Sequence, residues 1–238
     1  MSVSEFKRFR KCELDALSDW GEPSTAMLIG SYVDAYVEGT IEQFKIEHPE
    51  IFSSRGTTKG ELKSDYVLAN KICDYIDNDK TIQQFMSGDK QTIMTGEIAG
   101  VPYKIKMDSY SKGIAINDLK ILRTVTDKNG VFYDFISPWG YDIQLAVYQE
   151  IVRQKTGEQL PCFICAVTKE EPINSVIVHV PQEILDRALG GVIVDSPHYY
   201  EVKMGKLDAV GCGVCKTCIS TRVGTPIISM LDLMEGGI

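Results

Sequence analysis

The stretch KIKMDSYSKGIAINDLK, residues 104–120, decides how the chain is read. Its alternation and its Gly113 turn predict two antiparallel strands, 101–109 and 113–122. Asp108 ends the first, and Asp118 and Lys120 follow on the second. Residues two apart on a strand share a face, so Asp118 and Lys120 project together and a hairpin brings Asp108 alongside them. Two carboxylates and an ammonium around one point suit a hard cation, since Mg²⁺ takes oxygen ligands from carboxylates and from phosphate. Such an ion activates water and offsets charge developing at phosphorus, and a lysine can orient the water. A surface cross-strand ion pair explains the D-x-K tripeptide just as simply. The neighbours bear on that choice: Ile114, Ala115, Ile116, Leu119, Ile121 and Leu122 are apolar, and charges among them are costly unless paired or metal-bound.

Working outward, residues 92–98 predict a third strand of the same meander, closed by Gly100 and Pro102. Upstream, Met27, Ile29, Val33, Tyr36, Val37, Ile41 and Phe44 recur at helical spacing, which predicts a helix over 26–47 with Pro49 as its stop. Residues 48–62 read as a surface loop, 62–76 as a helix and 80–86 as a short one. Downstream, Ser137-Pro138 starts a helix over 139–155. CFICAVTK (162–169) and SVIVHV (175–180) are two more strands, and PQEILDRAL (181–189) is a short helix. Gly190-Gly191 reads as a turn. The order predicts an α/β fold: a mixed central β-sheet flanked by helices, in one domain over 1–238 with a Cys-rich segment at about 211–222.

The helix after the D-x-K strand carries Gln144 and Tyr148, four apart on one face. Such a pair could orient a catalytic group, although a core tyrosine and a surface glutamine fit the spacing equally. Glu97 is a candidate for a second metal, or simply an exposed strand residue. His48, His179 and His198 are scattered and fit structural or surface roles. No Walker-type loop is present, so ATP use has no support.

Twenty-five Lys and Arg against 33 Asp and Glu give a net charge of −8, which disfavours a protein that coats nucleic acid along its whole surface. It leaves room for a confined basic channel, with Lys7, Arg8, Arg10, Lys11, Lys104 and Lys106 as contributors. MSVSEFKRFRK lacks the apolar stretch of a secretory signal, and no run approaches a membrane span. The expectation is a cytoplasmic protein with no membrane association. Seven cysteines, an odd count, fit reduced thiols better than a disulfide framework.

Asp108, Asp118-Leu119-Lys120 and Gln144-xxx-Tyr148 together resemble the PD-(D/E)xK nuclease superfamily in its RecB-like branch, within it the phage-type exodeoxyribonuclease VIII (RecE-like) domain. Residues 99–108, AGVPYKIKMD, are similar to that group's G-x-P-x-x-x-K-x-D strand, and Gly30-Ser31-Tyr32-Val33-Asp34 to its first helix motif. The resemblance covers roughly residues 1–222. It implies a restriction-endonuclease-like core and Mg²⁺- or Mn²⁺-dependent exonucleolytic hydrolysis of DNA. Asp34, Asp108, Asp118 and the Leu119 carbonyl would hold the metal, Lys120 would position and activate the water, and Gln144 and Tyr148 would support the site. Duplex DNA ends would be the substrate, in phage or prophage recombination within a bacterial cell, with a ring-shaped homo-oligomer and a single-strand annealing protein as partner. The branch usually follows D-x-K with Thr or Ser, where this chain has Ile121-Leu122.

Cys212-x-x-Cys215-x-x-Cys218 suits a soft-metal site that needs a fourth ligand. Cys12 sits in a stretch that resembles the N-terminal cysteine of CRISPR-associated and AddB-type iron–sulfur nucleases, which act on single strands. Cys162 and Cys165 are further contributors, unless CFICAV is core. Bound Zn²⁺, an iron–sulfur cluster and a metal-free reduced trio all remain open on sequence. So does a member of the fold that binds nucleic acid without cutting it.

Overall fold

The computed structural model describes residues 1–19, 21–225 and 229–231. Strands β1 (Asp89–Ile98), β2 (Val101–Ser111), β3 (Ala115–Leu122), β4 (Cys162–Thr168) and β5 (Ser175–Val180) form one sheet in the order β1-β2-β3-β4-β5. Ala99 and Gly100, at φ 49° and 78°, turn β1 into β2. Positive φ at both central residues matches the right-handed twist of the flanking strands. The pair β3–β4 is parallel, and the other neighbours are antiparallel. A parallel pair needs a crossover, and a helix between β3 and β4 supplies it.

Helices α1 (Val3–Lys11), α2 (Glu13–Ala16), α3 (Thr25–Glu38), α4 (Ile41–Glu47), α5 (Ser64–Asn78) and α6 (Lys80–Phe85) precede the sheet. Helix α7 (Tyr141–Thr156) is the crossover, and α8 (Gln182–Lys203) and α9 (Lys216–Thr221) follow. Two cores form. On one face, Phe6 of α1, Leu145 and Ile151 of α7 and Val192 of α8 pack with Tyr103, Ile116 and Ile164 of the strands. On the other, Tyr32 of α3 and Ile72 of α5 pack with Leu119, Cys165 and Val167. Strands β3 and β4 are therefore covered on both sides, which is why β4 is nearly continuously apolar and β3 is apolar apart from Asn117, Asp118 and Lys120. Truncating Ile116, fully buried between the layers, to Ala costs roughly 2–5 kcal/mol.

Two helical expectations are corrected. The stretch 26–47 is two helices, because Gly39 takes φ +78° and ends α3. That left-handed conformation resists a β-carbon and closes a helix efficiently. The helix expected over 181–189 runs on to Lys203, through Gly190-Gly191 and through Pro197. Tertiary burial of Leu185, Val192, Ser196 and Val202 overrides the local signals. Ser196 is fully buried on that face and bonds both the Val192 carbonyl and the Tyr103 hydroxyl. The stretch 48–62 also contains a 3₁₀ turn, Pro49–Ile51, with Ile51 buried.

One irregularity sets up the site. Strands β2 and β3 pair only at Ser109↔Asn117, Tyr110↔Ile116 and Ser111↔Ala115, and then part. The freed edge of β2 is taken by residue 1: the Lys104 amide donates to the Met1 carbonyl at 3.0 Å, and the Met1 amine donates to the Pro102 carbonyl at 2.5 Å. Helix α1 follows directly and seats Phe6 in the core.

Candidate active site

Where β2 and β3 part, the two layers meet. The Asp108 carboxylate accepts the Leu119 amide at 3.0 Å, in place of a ladder partner. In the β1–β2 ladder Gln91, at φ 50°, lies opposite Asp108 between the pairs Lys90↔Ser109 and Thr92↔Met107. Asp118 is 1% exposed, and its Oδ1 accepts Gln144 Nε2 at 2.8 Å. The same Nε2 lies 3.0 Å from the Tyr148 hydroxyl. The Lys120 ammonium touches Asp118 Oδ2 and stands 5.2 Å from the centre of the Tyr141 ring. Asp34 reaches the same charges from α3 on the other side of the sheet.

The electrostatics follow from crowding. Burial first, then repulsion from Asp108, pushes the Asp34 carboxyl up to about 8. Burial also raises Asp118, with the Lys120 charge opposing it. Burial alone would lower Lys120, but Asp118 and Asp108 more than reverse this and hold the ammonium charged. Burial raises the Tyr148 phenol. Among the described residues Lys120 is the one ammonium in ion-pair contact with any of these three carboxylates.

The donor set fits a hard divalent ion. Asp118 Oδ2 is buried against the Lys120 ammonium, its one ion-pair partner among the described residues. Among the described residues none makes a hydrogen bond or ion pair to the Asp34 carboxylate. Oxygen donors left short of positive charge are what Mg²⁺ or Mn²⁺ requires.

Sequence reasoning undervalued Lys7. It was counted only among channel residues, yet it stands at the site: its ammonium donates to the Trp139 carbonyl at 3.1 Å and lies 5.5 Å from the centre of the Tyr141 ring. Burial and then Lys120 lower its pKa. Gly140, at φ 62°, makes room, since a β-carbon there would stand 2.9 Å from Lys7 Cδ. No local pattern marks Lys7, because its position depends on α1 docking beside β2. Lys106 lines a small cavity with Asp34 and Glu38. Arg8 is instead committed to the Asp15 and Ser18 carbonyls and the Asp15 carboxylate, which corrects its expected channel role. Glu97 is exposed on β1, where its backbone pairs with the Gln154 side chain.

A cleft of about 1270 Å³ runs from Asp34 and Lys120 along residues 121–141. Arg123, Lys128 and Lys169 line it together with Asp127 and Glu170, and Tyr133 and Trp139, 44% and 65% exposed, supply aromatic surface. Away from it, Cys12, Cys212, Cys215 and Cys218 come together with their sulfurs all within 4.8 Å of one another. Cys162 and Cys165 are buried strand residues in opposite cores and take no part. His198 pairs with Glu13, His48 with Glu50, and His179 is exposed against Phe163.

A mixed five-stranded sheet that parts to gather Asp108, Asp118 and Lys120 between helical layers has the architecture of a PD-(D/E)xK domain. Residues 2–221 match the family described as PDDEXK-like domain of unknown function (DUF3799), and the chain belongs to that family. It is similar to the crystal structure of a candidate exonuclease from Eubacterium rectale, at 44% identity and a TM-score of 0.87, over 99% of this chain and 93% of that one. A second solved structure, SSO0001, aligns at a TM-score of only 0.32 and 14% identity, over 91% of this chain and 96% of that one. Among curated proteins none matches. No helix among the described residues is long and apolar enough to cross a membrane.

Proposed function

We propose that the protein is a divalent-metal-dependent deoxyribonuclease, an exonuclease that hydrolyses phosphodiester bonds from the ends of linear duplex DNA. The observation that carries the proposal is the convergence of Asp34, Asp108, Asp118 and Lys120 where β2 and β3 part, at the head of a cleft lined by Arg123, Lys128, Lys169 and aromatic side chains. The 44% identity to a candidate exonuclease supports the same reading.

Asp34, Asp108, Asp118 and the Leu119 carbonyl would hold Mg²⁺ or Mn²⁺. The bound ion would acidify water and offset the charge that develops on the phosphate. Lys120 is held charged by Asp118, so it orients the attacking water as a donor and steadies negative charge. Gln144 fixes the Asp118 carboxylate from α7, and Tyr148 fixes Gln144. Lys7, Arg123 and Lys169 meet the DNA backbone, while Trp139 and Tyr133 offer stacking surface for bases. The net charge of −8 disfavours binding of DNA over the whole surface. The family resemblance supports three further parts of the proposal: end resection in phage or prophage recombination in a bacterial cytoplasm, a ring-shaped homo-oligomer, and a single-strand annealing partner.

End-labelled linear DNA and closed circular DNA, each incubated with and without Mg²⁺, test the reading. Metal-dependent loss of the linear substrate alone is expected. Cleavage of circles would replace exonuclease by endonuclease, and binding without cleavage in Mg²⁺ and in Mn²⁺ would leave a DNA-binding module.

A further inference from the structure

The four converging cysteines are the second chemical feature of the molecule. Cys12 lies at the C-terminal end of α1, Cys212 and Cys215 come from the segment that leads into α9, and Cys218 from α9 itself. Three of the six sulfur separations are 3.5 Å for Cys12–Cys218, 3.7 Å for Cys215–Cys12 and 4.0 Å for Cys212–Cys218, and no pair exceeds 4.8 Å. These are far longer than a disulfide bond of about 2.05 Å, and all four cysteines are free. A tetrahedron built on metal–sulfur bonds of about 2.3 Å has edges of about 3.8 Å. These three separations bracket that edge, and the remaining pairs stay within 4.8 Å. An iron–sulfur cubane needs a wider cage, because each thiolate binds a different iron at a different corner of the cluster. The cluster that the iron–sulfur nucleases suggest therefore does not fit these four sulfurs.

The surroundings are built for thiolates. Backbone amides donate into the sulfurs in sequence: Cys212 to Cys12 at 3.3 Å, Cys215 to Cys212 at 3.3 Å and Cys218 to Cys215 at 3.4 Å. Such outer bonds orient metal-binding thiolates and offset their charge. The glycines serve the same turn. Gly213 takes φ +79°, and a β-carbon on Gly211 would stand 2.9 Å from the Cys218 sulfur. The segment is docked independently as well: Val210 donates to Glu13, and Thr217 to Asp15.

We propose that Cys12, Cys212, Cys215 and Cys218 form a closed tetrahedral site for a single Zn²⁺ ion, which clasps the segment around residues 211–221 to the end of α1. Four thiolates and no open position make the ion structural rather than catalytic. It would join the two ends of the described chain across the face that carries α1.

The test uses the full chain, produced with zinc and iron both available and purified without oxygen. Metal analysis should find a single zinc per chain, no iron and no acid-labile sulfide, in a colourless protein. Replacement by Co²⁺ should give the ligand-field and charge-transfer bands of a tetrahedral tetrathiolate. Cys215→Ser should lose that spectrum and bind its metal at least tenfold more weakly. If Cys215→Ser fails to fold, the zinc content and the cobalt spectrum of the unaltered chain still decide. Iron in any form, or a metal-free chain whose four thiols all react freely, would overturn the proposal.

Discussion

The Asp108 carboxylate accepts the Leu119 amide at 3.0 Å across the gap where β2 and β3 stop pairing. A side chain thus replaces a backbone acceptor, and the replacement keeps a carboxylate oxygen beside Asp118. Asn at position 108 can still accept from the Leu119 amide but carries no charge for a cation. Asp108→Asn should therefore keep the native circular dichroism and melting behaviour while losing metal-dependent cleavage of linear DNA by about a hundredfold or more. Lys120→Ala should lose activity on the same scale. Undiminished cleavage by both variants would remove Asp108 and Lys120 from the chemistry.

Gln144 holds Asp118 from the opposite layer, through a 2.8 Å bond to a carboxylate with almost no solvent. Gln144→Leu should weaken Mn²⁺ binding or cleavage by about 10–100-fold, the usual effect of removing a group that orients a metal ligand. Tyr148→Phe removes only the bond behind Gln144 and should cost less. Titration calorimetry with Mn²⁺ separates the two, and equal losses would contradict this order.

Much of this geometry was legible in the sequence, and the reason is periodicity. Alternation in β2 and β3 gave the hairpin, and the two-residue spacing of Asp118 and Lys120 put them on one face. The four-residue spacing of Gln144 and Tyr148 did the same on α7. What the sequence hid depends on long-range packing. Lys7 reaches the site only because α1 docks where β3 leaves β2, a contact with no local signature. The continuation of α8 through Gly190, Gly191 and Pro197 was hidden for a related reason: burial of Val192 and Ser196 outweighs the breakers. Cys12 was linked to the trio by resemblance, and the compact sulfur geometry that selects between metals could not be read from spacing.

The raised pKa of Asp34 makes a prediction about pH. In the unfolded chain the carboxyl titrates near 3.9, whereas in the folded, metal-free protein it titrates at about 8. Between those values the folded state binds a proton that the unfolded state releases. Stability is therefore fully present below about pH 4 as far as this group is concerned, and it declines as pH rises toward 8. A divalent ion supplies the missing positive charge and should flatten the decline. Melting temperatures measured from about pH 5 to pH 8, with and without Mg²⁺, check this. Asp34→Asn should remove only part of the slope in the metal-free protein, because Asp118 is raised by burial as well and acts in the same direction, and a metal-free profile that rises with pH in that window would contradict the assignment.

Lys7 supplies the last prediction. Its ammonium sits beside Trp139 and Tyr141, close enough to Lys120 for mutual repulsion, and no carboxylate pairs with it among the described residues. A cation kept in that position suits a DNA phosphate next to the one being cut. Lys7→Ala should raise KM for linear DNA severalfold with a smaller change in kcat. It should also lower the salt dependence of binding by about one unit of log–log slope, the effect of losing one phosphate contact. Gly140→Ala approaches the same residue from the other side, because its β-carbon would press on Lys7 Cδ at 2.9 Å and a φ of 62° already resists it. That variant should be destabilised by roughly 1–2 kcal/mol, the cost of a β-carbon in the left-handed region, and should reproduce part of the KM effect. A Lys7→Ala enzyme with unchanged KM and unchanged salt slope would show that this lysine serves only to dock α1.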